Sequence, residues 1–317
     1  MSILQTPGLP APGLHPNEFL TRLSQSYEAY SSLNPATRLY AIVDARSLPD
    51  LRSALARLDA VAFEALWDGT ALAAHKDLSP LLVAVDMPGP ASGDAPHPLV
   101  ARLRRLSVEA FAVTWVWSPY SLEDLTSHFR SFCEYTLPDR RAFYLHFYDN
   151  RILERLRQVW TEGTQERFAG LALDLWYRSR DGADRTWPRE VLAPFPMEET
   201  ALHMTEAQHL SLLALGYADK LALQLRRLLG GDLDHLSQDG LYRAVSVQLE
   251  RAAAYRIQSD DDMLKYIARA LLTSPRFDEH PSVQPLLMAA TRGDISFSGA
   301  LVQADEVLPA RTDMDAQ

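Results

Sequence analysis

The sequence predicts an α/β protein: an N-terminal α/β lobe with a mixed or partly parallel sheet, followed by an all-helical C-terminal lobe. Three stretches carry this expectation: Arg38-Leu-Tyr-Ala-Ile-Val-Asp44, Trp115-Val-Trp-Ser-Pro-Tyr-Ser-Leu-Glu-Asp124 and Phe143-Tyr-Leu-His-Phe-Tyr-Asp-Asn-Arg151. Each is a short apolar run rich in β-branched or aromatic residues that stops at a polar, helix-starting residue and leads into helical spacing. Alternation of strand and helix is the pattern of a layered α/β domain with at least some parallel pairing. From about Pro194 the pattern changes to helical periodicity alone, and no strand is read after Tyr177.

Element by element, residues 17–33 suit a short amphipathic helix through Phe19, Leu20, Leu23 and Tyr27, and Leu39–Val43 is the first strand. Pro49 fits a first helical turn, with Asp50 favourable to the helix dipole. Leu51, Ala54, Leu55 and Leu58 then repeat at helical spacing. Val61–Trp67 returns as a strand, and the proline-rich segment Asp86–Pro98 reads as an exposed loop. Phe111–Trp117 is the next strand. Ser121 with Asp124 makes a capping-box-like start for a helix whose buried stripe is Leu122, Leu125, Phe129 and Phe132. Ala142–Tyr148 alternates as a strand, Asn150 is placed to cap the helix of Ile152, Leu153, Leu156 and Trp160, and Leu171–Tyr177 alternates again. Trp115 and Trp117 share a strand face and read as core, whereas Trp187, in a polar linker, reads as exposed.

In the second lobe Thr205 starts a long helical segment with Leu210, Leu213, Tyr217, Leu221 and Leu228 on one side, ended by Gly230-Gly231. Further helices carry Leu241, Val245, Leu249 and Ala252, then Met263, Leu264, Ile267 and Leu271, the latter entered through Ser259 or Asp260. The expected division is therefore a lead-in with a helix at 1–34, an α/β domain at 35–190, a helical lobe at 197–294 and a loose polar tail at 295–317.

Bulk composition narrows the function classes. A hydrophobic fraction of 47% and a charged fraction of 23% are those of a globular protein with a proper core. The net charge of -10 argues against nucleic-acid binding, which rests on clustered Lys and Arg. The single cysteine, Cys133, excludes an internal disulfide and fits a reducing compartment. No apolar run approaches the roughly 20 residues that span a bilayer. Met1–Pro16 has neither the basic head nor the apolar core of a signal peptide, so no membrane partner and a cytoplasmic location are expected.

Few residues invite chemistry. Asp44 and Asp149 sit at the ends of predicted strands, where α/β proteins place functional groups, and a carboxylate pair there suits Mg²⁺ binding or acid–base work. The competing reading is that each caps a helix or pairs with an arginine, and it is favoured because there is no third acidic ligand, phosphate loop or nucleophile motif. His203 and His209 are six apart, which does not stack metal ligands on one helical face. Neither Ser118 nor Ser121 lies in a Gly-x-Ser-x-Gly elbow. No catalytic residue, metal or cofactor is expected.

Taken in order and spacing, Leu39-Tyr-Ala-Ile-Val-Asp44, Ser118-Pro-Tyr-Ser-Leu-Glu-Asp-Leu125, His128-Phe-Arg130, Leu137-Pro138 and Phe147-Tyr-Asp-Asn-Arg-Ile-Leu153 resemble the adaptor-chaperones of type VI secretion effectors, the Tap or Tec family. The resemblance covers about residues 38–178, and Phe277-Asp-Glu279 resembles a late Phe-Asp element. His146 stands where the family usually has Arg and Asn150 where it usually has Pro. The first departure puts a shared Arg–carboxylate pair in doubt and makes local charge pH-sensitive. The resemblance implies a cytosolic adaptor that binds a secreted effector toxin and helps load it onto a VgrG-type spike protein, catalysing nothing. Its implied motif or partner-binding residues are Asp44, Ser118, Pro119, Arg130, Tyr148, Asp149 and Arg151. The alternatives are a metal-dependent hydrolase using Asp44 and Asp149, and a structural baseplate-associated protein.

Overall fold

A computed structural model describes residues 16–48, 50–58, 61–85, 87, 98–189, 192 and 201–307. The lead-in before Pro16, Pro49, nearly all of the 86–98 loop, most of the linker after Arg189 and the last ten residues lie outside them. The chain divides into two compact units, 1–212 and 213–317.

The first unit is built on a six-stranded sheet. Its elements begin with α1 (Pro16–Leu33), β1 (Arg38–Val43), α2 (Leu51–Leu55), β2 (Phe63–Ala65), β3 (Leu81–Val85), α3 (Pro98–Ala110) and β4 (Val113–Ser118). They continue with α4 (Leu122–Arg130), β5 (Glu134–Thr136), β6 (Ala142–Tyr144), α5 (Asn150–Val159), α6 (Glu162–Ala169), β7 (Asp174–Arg178), β8 (Asp184–Thr186) and β9 (Leu202–His203). The sheet order is β2-β3-β1-β4-β7-β8, antiparallel at every pairing. A second, three-stranded sheet has the order β6-β5-β9, and its β5–β9 pair is the parallel one. The expected fold class holds, with parallel pairing confined to the smaller sheet.

Both faces of the large sheet are covered, so its central strands are apolar on both sides. On one face Ala41, Val83, Trp115, Trp117 and Trp176 pack with Phe19 and Leu23 of α1, Leu51 of α2 and Leu103 of α3. Phe19 meets Trp115 at 5.5 Å between ring centroids, and Trp117 meets Trp176 edge-on at 5.8 Å. On the other face Tyr40, Ile42, Leu82 and Val116 meet Leu125 and Phe129 of α4, Leu156 of α5 and Phe168 of α6. Aromatic pairs at these separations add to simple area burial. The α4 start is as expected: Ser121 Oγ accepts from Asp124 N at 3.1 Å and Asp124 Oδ2 accepts from Ser121 N at 3.2 Å.

Several expectations are corrected. The strand read over Ala142–Tyr148 ends at Tyr144, because the chain turns through residues 147–149 into α5. Strands do follow Tyr177: β8 pairs antiparallel with β7, and β9 pairs parallel with β5. Trp187 is buried rather than exposed, since its backbone N–H still donates to Leu175 O at 2.8 Å and its ring packs 5.6 Å from Phe168. Asn150 does not cap α5; Asp149 does, and Asn150 is fully buried, its Nδ2 donating to Val113 O and its Oδ1 accepting from Thr114 Oγ1.

Helices follow: α7 (Glu206–Leu215), α8 (Tyr217–Leu229), α9 (Gln238–Ala252), α10 (Asp260–Leu272), α11 (Gln284–Arg292) and α12 (Phe297–Val307). The single long segment expected from Thr205 is two helices, and Leu210, Leu213 and Leu228 are exposed; the core face of α8 is Ala218, Leu221, Ala222 and Leu225. Ser259 caps α10, accepting from Asp262 N. Residues 297–307, expected to be loose, form α12, which buries Ala300, Leu301 and Ala304 in the helical core. The Phe277-Asp-Glu279 element is a 3-10 turn. Its buried Asp278 accepts from Arg251 Nη2 at 2.6 Å and from the hydroxyls of Tyr266 at 3.0 Å and Tyr255 at 3.3 Å.

Candidate functional site

A buried polar cluster of the first unit lies at one end of the large sheet, where β1 finishes and β4 begins. Antiparallel register sets Val43 opposite Val113, so the next pair brings Asp44 N onto Ala112 O at 2.8 Å. One residue earlier, Phe111 O accepts from Asn150 N at 2.9 Å, which pins the start of α5 to the same edge. Phe111 holds φ at +55° to present these two carbonyls, a conformation strained for an aromatic residue. Asp44 and Asp149 thus meet although they are far apart in sequence and only Asp44 ends a strand.

Each aspartate is engaged by the arginine two residues on. Asp44 accepts from Arg46 N at 3.1 Å, capping a 3-10 turn, while Arg46 Nε donates to Oδ1 at 2.9 Å and Nη2 to Oδ2 at 2.6 Å. Asp149 repeats the geometry with Arg151, at 3.1 Å to the amide, 2.8 Å from Nε and 2.7 Å from Nη2. Arg46 Nη2 also approaches Asp149 Oδ2 at 3.6 Å, so both guanidiniums converge on one carboxylate oxygen. Both aspartates are buried, and their arginines are partly exposed, by 32% for the Arg46 side chain and 19% for that of Arg151. Burial disfavours the Arg46 charge, but the hydrogen bonds and field of Asp44 outweigh it and raise its pKa; Arg151 is raised by Asp149 in the same way.

Tyr148 forms the floor. It is almost fully buried, with the Arg46 guanidinium 5.3 Å above its ring and Trp67 edge-on at 6.3 Å. Its hydroxyl bonds with His146 Nδ1. Burial, then the field of Arg46, lowers the His146 pKa against the opposing pull of Asp44 and Asp149, so the imidazole is neutral near pH 7. His146 therefore supplies no arginine-like charge here; Arg46 reaches Asp149 instead. Arg46 is the residue sequence reasoning missed. The signal was present, because Asp44-Ala-Arg46 and Asp149-Asn-Arg151 are the same Asp-x-Arg motif.

The remaining motif residues serve elsewhere. Arg130 is held at this end of the sheet, its Nε donating to Leu66 O at 3.1 Å. Ser118 lies at the opposite end of β4, fully buried, donating to Leu171 O at 2.6 Å and accepting from Tyr120 N at 3.2 Å. Pro119 follows it, half-buried, before the α4 cap. The structure thus brings together Asp44, Tyr148, Asp149 and Arg151, places Arg130 behind them, and separates Ser118 and Pro119.

Among the described residues no three His, Cys, Asp or Glu side chains are grouped to hold a metal ion. Cys133 is buried and its thiol is pushed up to about 12 by burial, the opposite of nucleophile activation. No helix among the described residues is long and apolar enough to cross a membrane.

Fold and site together define an α/β domain, followed by a helical unit, whose principal polar cluster neutralises itself with arginine–carboxylate pairs instead of framing a nucleophile or a metal. Residues 39–167 match the family described as Domain of unknown function (DUF4123), a domain family associated with Tap/Tec-type effector chaperones of type VI secretion and not known for catalysis. All seven motif residues lie inside the matched stretch. No curated protein and no solved structure matches the chain.

Proposed function

We propose that this chain is a cytosolic adaptor that binds one type VI secretion effector and helps load it onto a VgrG-type spike. The observation that carries the proposal is the family match over 39–167, which takes in β2, β3, β4, nearly all of β1 and the arginine–carboxylate cluster. Supporting it, Asp44 and Asp149 are each occupied by two donor atoms of an arginine, which leaves neither as a free base or a metal ligand. A rigid α/β platform braced in this way suits recognition through surface shape and a few anchors, with an interface of roughly 1,200–2,000 Å² in total.

Deletion of the gene is expected to abolish delivery of one toxin while the sheath still fires. Undiminished delivery of every toxin refutes the proposal. A baseplate component would instead be recovered at fixed stoichiometry in the assembled apparatus, from which an adaptor is absent.

A further inference from the structure

We propose that Arg46 and Arg151 form a receptor for the carboxylates of an acidic segment of the partner protein, an assignment that rests on the adaptor reading and names the chemistry of its contact. A guanidinium offers two hydrogen-bonding edges, and here the Nε/Nη2 edge of each arginine is consumed by its own aspartate. Nη1 of each makes no hydrogen bond among the described residues, and both side chains remain partly exposed. The aspartates therefore act as clamps: they fix the two planes while a donor on each stays directed elsewhere. Fixed planar donors lose little rotamer entropy on meeting a carboxylate, which is where charge-assisted arginine bonds gain strength and selectivity.

Three further features favour an anionic partner at this place. Arg151 and Arg180 lie 5.8 Å and 5.9 Å from the Phe111 ring, which gathers a third guanidinium beside the pair. Glu154, one turn along α5, is turned to the Ser179 hydroxyl and the Arg180 amide and does not compete for Arg46 or Arg151. Phe111 is held at positive φ to tie Asp44 and Asn150 to one edge, and such strain is characteristic of functional positions.

The test uses the full chain and an octapeptide of alternating Glu and Gly beside its Gln analogue, with a candidate type VI secretion effector toxin as a second probe. In the wild-type chain the side-chain Nε–Hε resonances of Arg46 and Arg151 are expected to shift with the Glu peptide and to stay put with the Gln peptide. Two paired variants, Asp44→Asn with Arg46→Gln and Asp149→Asn with Arg151→Gln, keep the local charge balance and are expected to bind the Glu peptide at least tenfold more weakly. Unmoved resonances, or equal shifts with the Gln peptide, overturn the assignment. If wild type and both paired variants capture the toxin equally, this assignment fails and the adaptor reading stands. If wild type captures no toxin, the adaptor reading fails, and the peptide titration alone decides the carboxylate receptor.

Discussion

Arg46 and Arg151 reach the same oxygen, Oδ2 of Asp149, from two segments of chain more than a hundred residues apart. That convergence ties the end of β1 to the start of α5. It makes Asp149 at once a helix cap, a partner for two guanidiniums and the hinge-pin of the sheet edge.

Replacing Asp149 by Ala is expected to cost about 2–4 kcal/mol, because it removes a cap worth about 1 kcal/mol and leaves two partly buried guanidiniums without their shared anion. Asp149→Asn keeps the cap and is expected to cost roughly half as much. Urea unfolding of the three proteins measures this; an Ala variant as stable as wild type would refute the bracing role.

The pH dependence has two opposed sources. Burial lowers His128 to about 4, although its Nε2 donates to Phe168 O at 2.9 Å. Its unfolded form therefore binds more protons between about 4 and 6.5, and its contribution to stability is lost as pH falls through that window. His146, also lowered, acts in the same direction. Burial raises Asp174 to about 6 against the donors Trp176 Nε1, Tyr30 Oη and Trp187 N, so its folded form holds the extra proton and its contribution is lost as pH rises from about 4 to 6. The His128 and Asp174 contributions are each on the order of 3 kcal/mol, at about 1.4 kcal/mol per pKa unit. Wild type is thus expected to change little from these two groups, and Asp174→Asn to gain stability steeply between pH 4.5 and 6.5. Parallel pH curves for the two proteins would count against the assignment.

In the helical unit Asp278 is the single acceptor shared by Arg251, Tyr255 and Tyr266. Asp278→Ala leaves the buried Tyr266 hydroxyl without its acceptor and Tyr255 with the backbone carbonyl of residue 278 alone, at 3.3 Å, while Glu279 still holds Arg251 at 2.7 Å. A loss of about 2–3 kcal/mol is expected, read as an earlier melting of this unit by tyrosine fluorescence. No change in its melting would show that the turn at Phe277 is incidental.

What the sequence revealed was local. β1 and β4 announced themselves as apolar runs, and Ser121 with Asp124 as a capping box, because each signal sits within a few residues. The strand order did not, since pairing β1 with both β3 and β4 is decided by packing across the sheet. β8 was hidden by its charge: Asp184 is buried, yet it is neutralised by Arg104 at 2.7 Å, a partner eighty residues away. Trp187 was misjudged for the same reason, as the residue after an unrecognised edge strand. α12 was hidden by small residues, for Ala300 and Ala304 bury fully without reading as a strong apolar stripe. At the site, Asp44 and Asp149 were found from their places after apolar runs, whereas Arg46 emerges only when the repeated Asp-x-Arg turn is seen in space.

Co-elution of the purified chain with a candidate type VI secretion effector addresses the main claim most directly. The account predicts one complex in which both proteins migrate together on size exclusion, formed without metal, nucleotide or any change in covalent structure. Separate elution from that effector and from every other type VI secretion protein tested, or turnover of a substrate by the purified chain, would contradict it.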